Sequence, residues 1–444
     1  MDKIQLSDHF DYKRLLQFTF PTIIMMIFSS IYGIVDGLFI SNFAGSIPFA
    51  AVNLIMPFIM IFSAVGFMIG AGGTALVSMT FGTGDDKRAN SIFSLLVYTV
   101  IVLGITVSII GEITLPAVTR FLGATGEMYS YCIIYGRISF ISLTAFMLQN
   151  MFSSFFVTAE KPNLGLAVTV LAGATNIILD ALFVGYFRWG VTGAAAATVI
   201  TECVGGLVPL FYFALPNESI LRLGRACMEV RPLIRTCTNG FSEFMTNISM
   251  SLVNVIYNFQ LLNLAGENGV AAYGIIMYAS FIFGSISYGY SMGSAPIVGY
   301  HYGSGDHKEL SNVLHKSLIL TFGFSIIMTL GGVGLAGTIA RIFVGYDRAL
   351  LTMTTTAFAL YTTKYIVAGY NIYASSFFTA LNNGLVSGII SFSRVLLFQI
   401  AAVLILPILF GLNGIWLSMT LSETCSLLVT IYFFVRCKDR YHYY

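Results

Sequence analysis

The sequence predicts an all-α integral membrane protein, and three observations carry that reading. Hydrophobic residues fill 57% of its 444 positions, charged residues only 9%, and apolar runs of bilayer-crossing length recur about twelve times. A soluble domain carries roughly a quarter charged residues, so this chain cannot present a charged surface to water on every side. The short alternating segments of a membrane β-barrel are absent.

Charge, glycine and proline punctuate the runs and set their limits. Span 1, residues 15–43, follows a charged stretch and lacks a small-residue cleavage site. It therefore reads as a membrane helix rather than a cleaved signal peptide. Span 2, 48–80, ends at Phe81-Gly-Thr-Gly-Asp85, where glycine permits a tight turn and aspartate caps the next helix. Spans 3 and 4 cover 90–114 and 128–156, the latter holding Tyr135 and Asn150. Span 5, 163–185, sets Asn176 and Asp180 one turn apart on one face. Span 6, 190–215, opens on GVTGAAAAT and again spaces Thr198 and Glu202 by four. A basic stretch, 217–235, is expected to link two units and to run partly as a helix along the membrane surface. Spans 7 and 8, 233–263 and 268–300, lead to a second such loop, Tyr302-Gly-Ser-Gly-Asp306. Spans 9 to 12 cover 311–340, 350–378, 384–408 and 411–435. Several exceed the minimum length, which allows tilt.

Fifteen Lys and Arg fall in segments that share a side with the N-terminus, against four on the other side: Arg120, Arg188, Arg341 and Arg348. That asymmetry predicts a multi-pass protein of the cell (inner) membrane with both termini in the cytoplasm. The six cysteines have no CxxC spacing and the five histidines no metal-ligand spacing, so neither set suggests redox or metal chemistry. No G-x4-G-K-[ST] accompanies the glycine loops, which excludes a P-loop ATPase. No cofactor and no nucleic-acid partner are expected. Energy must then come from an ion gradient, or transport must run downhill.

Aligned against itself at an offset of 221, the chain matches along its length. Asn42 meets Asn263, Ala44-Gly45 meets Ala265-Gly266, and Asn150 meets Asn371. Gly190, Gly193 and Glu202 meet Gly411, Gly414 and Glu423. An even number of spans per copy means both copies enter the membrane in the same sense. The expected fold is therefore twelve transmembrane helices in two six-helix lobes, related by a pseudo-two-fold along the membrane normal. Residues 1–216 form the N-lobe, 217–235 the linker and 236–444 the C-lobe.

Ionisable residues within spans are functional candidates, because lipid exposure of a charge is costly. Asp36, Asn176, Asp180 and Thr198 all lie roughly 8–14 Å in from the outer ends of their helices. Four oxygen-bearing side chains at one depth suit Na⁺, and equally a proton shared between two carboxylates. At the matching positions of the second copy stand Tyr257, Leu397, Ala401 and Met419, so packing common to both lobes does not require the cluster. Helix glue is the plainer alternative. Glu202 and Glu423 are kept in both copies and read either as cavity acids or as shared packing features. Glu243 in span 7 is a second proton or substrate candidate. Arg137 fits snorkelling at a helix end, whereas Lys364 and Arg394 are deeper and are expected to pair with carboxylates. Pro21 is a candidate hinge.

With these residues on the page, the chain resembles the multidrug and toxic compound extrusion (MATE) family over essentially its full length. The likeness rests on Pro21 and Asp36 in span 1, the repeated GxGD loops, GVTGAAAAT, and above all N176-x3-D180. It implies a secondary antiporter, not an enzyme, that exports cationic or lipophilic drugs in exchange for Na⁺ or H⁺ by alternating access. Asp36, Asn176, Asp180 and Thr198 would form its cation site, with Tyr135 and Asn150 as polar neighbours. The protein is expected to act as a monomer whose only other partner is membrane lipid. Span 10 departs from one branch of the family, offering Lys364, Tyr370, Asn371 and Tyr373 but no acid. The alternative is a lipid-linked oligosaccharide flippase of the same superfamily, for which Lys364 and Arg394 would meet an anionic phosphate.

Overall fold

The computed structural model describes residues 4–345 and 347–444 and is helical with no strand among them; Lys3, one of the cytoplasmic charges, lies outside that range. In chain order the helices are α1 (Tyr12–Phe39), α2 (Ser46–Gly82), α3 (Asp86–Phe121), α4 (Gly126–Thr158), α5 (Pro162–Asp180) and α6 (Gly190–Ala214). There follow α7 (Val230–Ser304), α8 (His307–Val344), α9 (Arg348–Thr362) and α10 (Tyr365–Ala380). The last three are α11 (Gly384–Phe392), α12 (Phe398–Phe410) and α13 (Leu412–Tyr441).

Ten helical stretches among the described residues are long and apolar enough to cross a membrane, against the twelve runs expected. Two local features make the difference. Helix α7 is 75 residues long, far more than a bilayer needs, and its backbone breaks at Gly266 with φ 62° and ψ −153°. Only glycine adopts that conformation without strain. Helices α9 and α10, of 15 and 16 residues, are each too short alone and meet at a turn over Thr363 and Lys364.

The capping expectations hold. Asp85 and Asp306 each accept the backbone N–H three residues on, from Arg88 and Glu309 at 3.0 Å, and Gly84 and Gly305 take left-handed turns before them. The linker is helical only from Val230, where α7 begins; residues 216–229 form no helix. Their backbone finds its partners on the polar start of α3 instead. Arg222 N–H donates to Asn90 Oδ1 at 2.6 Å and Gly224 N–H to Ser94 Oγ at 2.9 Å, while Tyr98 OH donates to Gly224 O at 3.0 Å. A segment whose backbone is satisfied this way gains nothing from helical bonds.

Large apolar side chains face outward around the bundle, with Ile141 75% and Ile408 82% exposed. In water such a surface would aggregate; in lipid it is the solvent contact. Inside, α2 to α6 share one apolar core, and α8, α10 and α13 share another with the end of α7. The start of α1 belongs to that second core through Leu15, Phe18 and Ile23, whereas its later turns pack on α5. The two groups of helices meet most closely where α2 lies on α7. A Cβ on Gly72 would strike the Thr236 carbonyl, and one on Gly240 the Met68 carbonyl. All of these contacts lie toward the end of the bundle that carries both chain termini.

That same end is strapped by residues 4–10. Leu6 N–H donates to Glu160 Oε1 at 2.9 Å, and Phe10 N–H to Glu309 Oε1 at 2.8 Å. His9 Nδ1 lies 2.6 Å from Glu309 Oε2, and Lys316 Nζ donates to Phe10 O at 2.7 Å. Glu160 follows α4 and Glu309 begins α8, so the strap touches both helix groups.

Replacing Gly240 by valine is expected to destabilise the protein by about 1–3 kcal/mol, since overpacking here meets backbone. Gly274→Val, where the added Cβ meets nothing within 4 Å, serves as the control in a detergent melting assay. Equal losses from both would show the contact to be slack.

Candidate functional site

Helix α5 ends at Asp180, and a π-helical turn, Ala181–Tyr186, begins at once. A π-turn likewise ends the first helix at Ile40–Ala44, one turn after Asp36. Such turns recur at functional sites because they leave backbone and side chains in unusual register. Helices α1 and α5 can approach here because residue 173 is glycine: a Cβ there would press on the Phe28 and Tyr32 rings.

Asp36 and Asp180 face each other closely enough to interact directly. Asn176 and Asp180 are buried, 2% and 0% exposed, and Asp36 is half-buried. Asp36 Oδ1, Asn176 Oδ1, both Asp180 carboxyl oxygens and Thr198 Oγ1 are all shielded, and among the described residues none makes a hydrogen bond of regular geometry, although the two carboxyls face each other and Tyr135 approaches Thr198. Most buried polar atoms in native proteins are satisfied, so five orphaned oxygens in this group stand out. Tyr135, fully buried on α4, reaches Thr198 and lies within the electrostatic field of Asp36, Asp180 and Glu202. Glu202 accepts a short hydrogen bond from Ser142 Oγ.

Asn150 stands apart. It lies fifteen residues along α4 from Tyr135, about 22 Å by helical rise, so it cannot share a first coordination shell with that tyrosine. Two residues that sequence reasoning passed over belong near the group. Tyr32 OH, one turn before Asp36, accepts from Gln149 Nε2 at 3.4 Å and lies in the field of Asp36 and Glu202. The four-residue spacing of Tyr32 and Asp36 was the available signal. Helix α1 runs unbroken through the buried Pro21.

The second copy is built differently at the matching places. Tyr257, where the first copy has Asp36, shares a hydrogen bond of 2.6 Å with Ser418 and stacks on Tyr273 at 5.2 Å. Glu423, the mate of Glu202, pairs with Arg394 Nε at 3.0 Å and accepts from Asn371 Nδ2 at 2.8 Å. Arg394 also donates to Tyr288 OH at 2.9 Å, and Thr430 to Asn371 Oδ1 at 2.8 Å. Glu243 lies in the field of Arg394. So Arg394 pairs with a carboxylate as expected, and Glu202 and Glu423 are not equivalent. The residue matching Arg394 in the first copy is Gly173, so Glu202 has no such cation beside it.

Removing one member of the buried pair is expected to be costly. Arg394→Met should destabilise by about 3–5 kcal/mol, because Glu423 is left uncompensated. Adding Glu423→Gln to that variant should recover most of the loss in the same melting assay. A double variant no better than the single one would show that the ion pair is not the source.

Comparison with known proteins gives consistent results. The family model MatE matches two stretches of this chain, residues 21–182 and 244–405. The multidrug export protein MepA of Staphylococcus haemolyticus is 25% identical over 434 residues, spanning 97% of this chain and 94% of that one. The MepA of Staphylococcus aureus (strain MRSA252) is 24% identical over 435 residues with the same coverage. Among solved structures, MATE in complex with MaL6 superposes with a TM-score of 0.93 at 20% identity, covering 99% of both chains. The outward-facing conformation of a multidrug resistance MATE family transporter of the MOP superfamily gives 0.92 at 20% identity, covering 99% of this chain and 98% of that one.

Proposed function

We propose, on the premise that this chain belongs to the MatE family, that it is an ion-coupled exporter of cationic or amphipathic compounds. The observation that carries this reading is the set of orphaned oxygens on Asp36, Asn176, Asp180 and Thr198, contributed by α1, α5 and α6. Carboxylate, amide and hydroxyl oxygens are the ligands a hard cation prefers. A proton shared by the two facing carboxylates would satisfy the same group. The relatives, multidrug export proteins, point to the substrate class.

On this reading the chain makes twelve spans in two lobes, 1–216 and 236–444, joined by 217–235. Helix α7 counts as two spans meeting at Gly266, and α9 with α10 counts as one span with an internal turn. The termini and the strap lie in the cytoplasm, by the Lys and Arg asymmetry. Close α2–α7 packing at that end, together with the strap, supports a form closed to the cytoplasm. The coupling cation or proton enters from outside, alters how α1 sits on α5, and drives release of the drug as the lobes rock. The protein works as a monomer in the cell membrane. The flippase alternative is not favoured: Arg394 is already engaged by Glu423 and Tyr288, and the first copy offers acids rather than bases.

Ethidium efflux from proteoliposomes, driven separately by a Na⁺ gradient and by a pH gradient, tests the proposal. One gradient is expected to stimulate efflux, and Asp36→Asn or Asp180→Asn to abolish that stimulation with expression and folding nearly intact. Wild-type rates in both variants would sink the coupling assignment. The strap supplies a second check: Glu309→Ala should raise labelling, from the cytoplasmic side, of a cysteine placed at Ser78, beneath Gly299. Unchanged labelling would show that the strap does not hold that end shut.

A further inference from the structure

We infer that Lys364 is an anion-recognition point within the membrane, which takes the carboxylate of an aromatic substrate that carries one. The inference rests on the export reading and adds to it a substrate class. Lys364 occupies the turn between α9 and α10 and is 8% exposed. Its ammonium lies 4.0 Å from the centre of the Tyr361 ring and 5.1 Å from that of Tyr365. Among the described residues it makes no hydrogen bond and no ion pair, whereas an ammonium has three N–H donors to place.

The neighbouring acids are already used. Glu423 lies within the field of Lys364, but one of its oxygens is held by Arg394 and the other by Asn371. Glu243 lies in the field of Arg394. The two tyrosine hydroxyls are engaged as well, Tyr361 with Met277 Sδ at 3.6 Å and Tyr365 with Ser280 O at 3.4 Å. Ring faces attract a cation, yet they leave its hydrogen-bond donors unmet, and a buried charge without a partner is unfavourable. A carboxylate brought by a ligand supplies both the charge and the acceptors. The rings around it are buried and packed on one another, with Tyr365 5.8 Å from Phe283 and Tyr257 stacked on Tyr273. Arg394 cannot play this part, since Glu423 and Tyr288 occupy it.

The test uses the full-length protein in lipid nanodiscs and two dyes that differ in one group: rhodamine 110, a free carboxylic acid, and rhodamine 123, its methyl ester. Fluorescence polarisation gives Kd for each. In Lys364→Gln and Lys364→Met the acid is expected to bind roughly tenfold more weakly or worse, the loss of one charge-assisted contact. The ester should be unchanged in both variants, which also shows that they are folded, and Lys364→Arg should restore the acid. Equal loss of both dyes would overturn the inference in favour of a packing role. So would undiminished binding of the acid. A wild-type protein that binds the ester but not the acid overturns the anion site and leaves the export reading standing. If neither dye binds, the export reading fails and this inference with it.

Discussion

The constraint on which the rest of this structure depends is the absence of water from the bilayer interior. A backbone amide or carboxylate there has no solvent to fall back on, so each must find a partner inside the protein. That requirement makes the chain helical throughout its spans. It also gives meaning to exceptions. Many serines and threonines along the helices bond back to a carbonyl one turn earlier, as Thr19 does to Leu15 and Thr201 to Ala197. Against that background, carboxylate oxygens left without a partner on Asp36 and Asp180 are the costliest atoms in the first copy. A protein retains such atoms where something else comes to meet them.

The two copies share a backbone plan and diverge in how they settle their charges. In the second, Arg394, Glu423, Asn371 and Thr430 form a closed network in which each group finds a mate. In the first, the place of Arg394 is taken by Gly173, which lets Phe28 and Tyr32 of α1 come close to α5. One exchange thus removes a cation and brings a helix bearing Asp36 toward Asp180. The lone acid Glu202 leans on Ser142 alone. On the proposed reading, the second copy settles its charges internally and the first leaves its acids open to a cation or a proton.

Much of this was legible in the sequence because membrane spans write themselves as long apolar runs, and because charges within them are few enough to stand out. The GxGD loops were read correctly down to the capping aspartates. Counting helical rise put Asp36, Asn176, Asp180 and Thr198 at one depth, which is the basis on which they are proposed as one site. Partner choice was not legible. Nothing in the chain said that Glu423 would take Arg394 while Glu202 had no cation, since that depends on side-chain reach across helices. Which part of the linker would be irregular was not legible for a similar reason: its acceptors and donors sit on Asn90, Ser94 and Tyr98, more than a hundred residues away in sequence. The bilayer-length rule also could not foresee that α7 would run on past Gly266 or that α9 would stop at Thr362.

Helix α1 is where these threads meet mechanically. Its first turns are cemented into the second copy, with Thr19 against Gly293 and Ile23 against Gly289, where any side chain would intrude. Midway, Ser30 bonds to Ser285 at 2.7 Å. By then the helix already packs on the first copy, with Phe28 and Tyr32 against Gly173 of α5, and it carries Asp36 on toward Asp180. A rigid rod anchored in one group of helices at its start and in the other at its end must transmit a change at either. If the charge at Asp36 is neutralised, its repulsion of the Asp180 carboxyl is relieved, and α1 is free to change its seating against α5 and α7. On the proposed reading, coupling needs no long chain of intermediaries: fifteen or so residues of one helix join the acids to the interface. The π-turn at Ile40–Ala44 gives the rod a pliable tip, so small shifts at Asp36 are not resisted by the following loop. That geometry favours a response in which α1 changes its seating as a unit over one in which it unwinds.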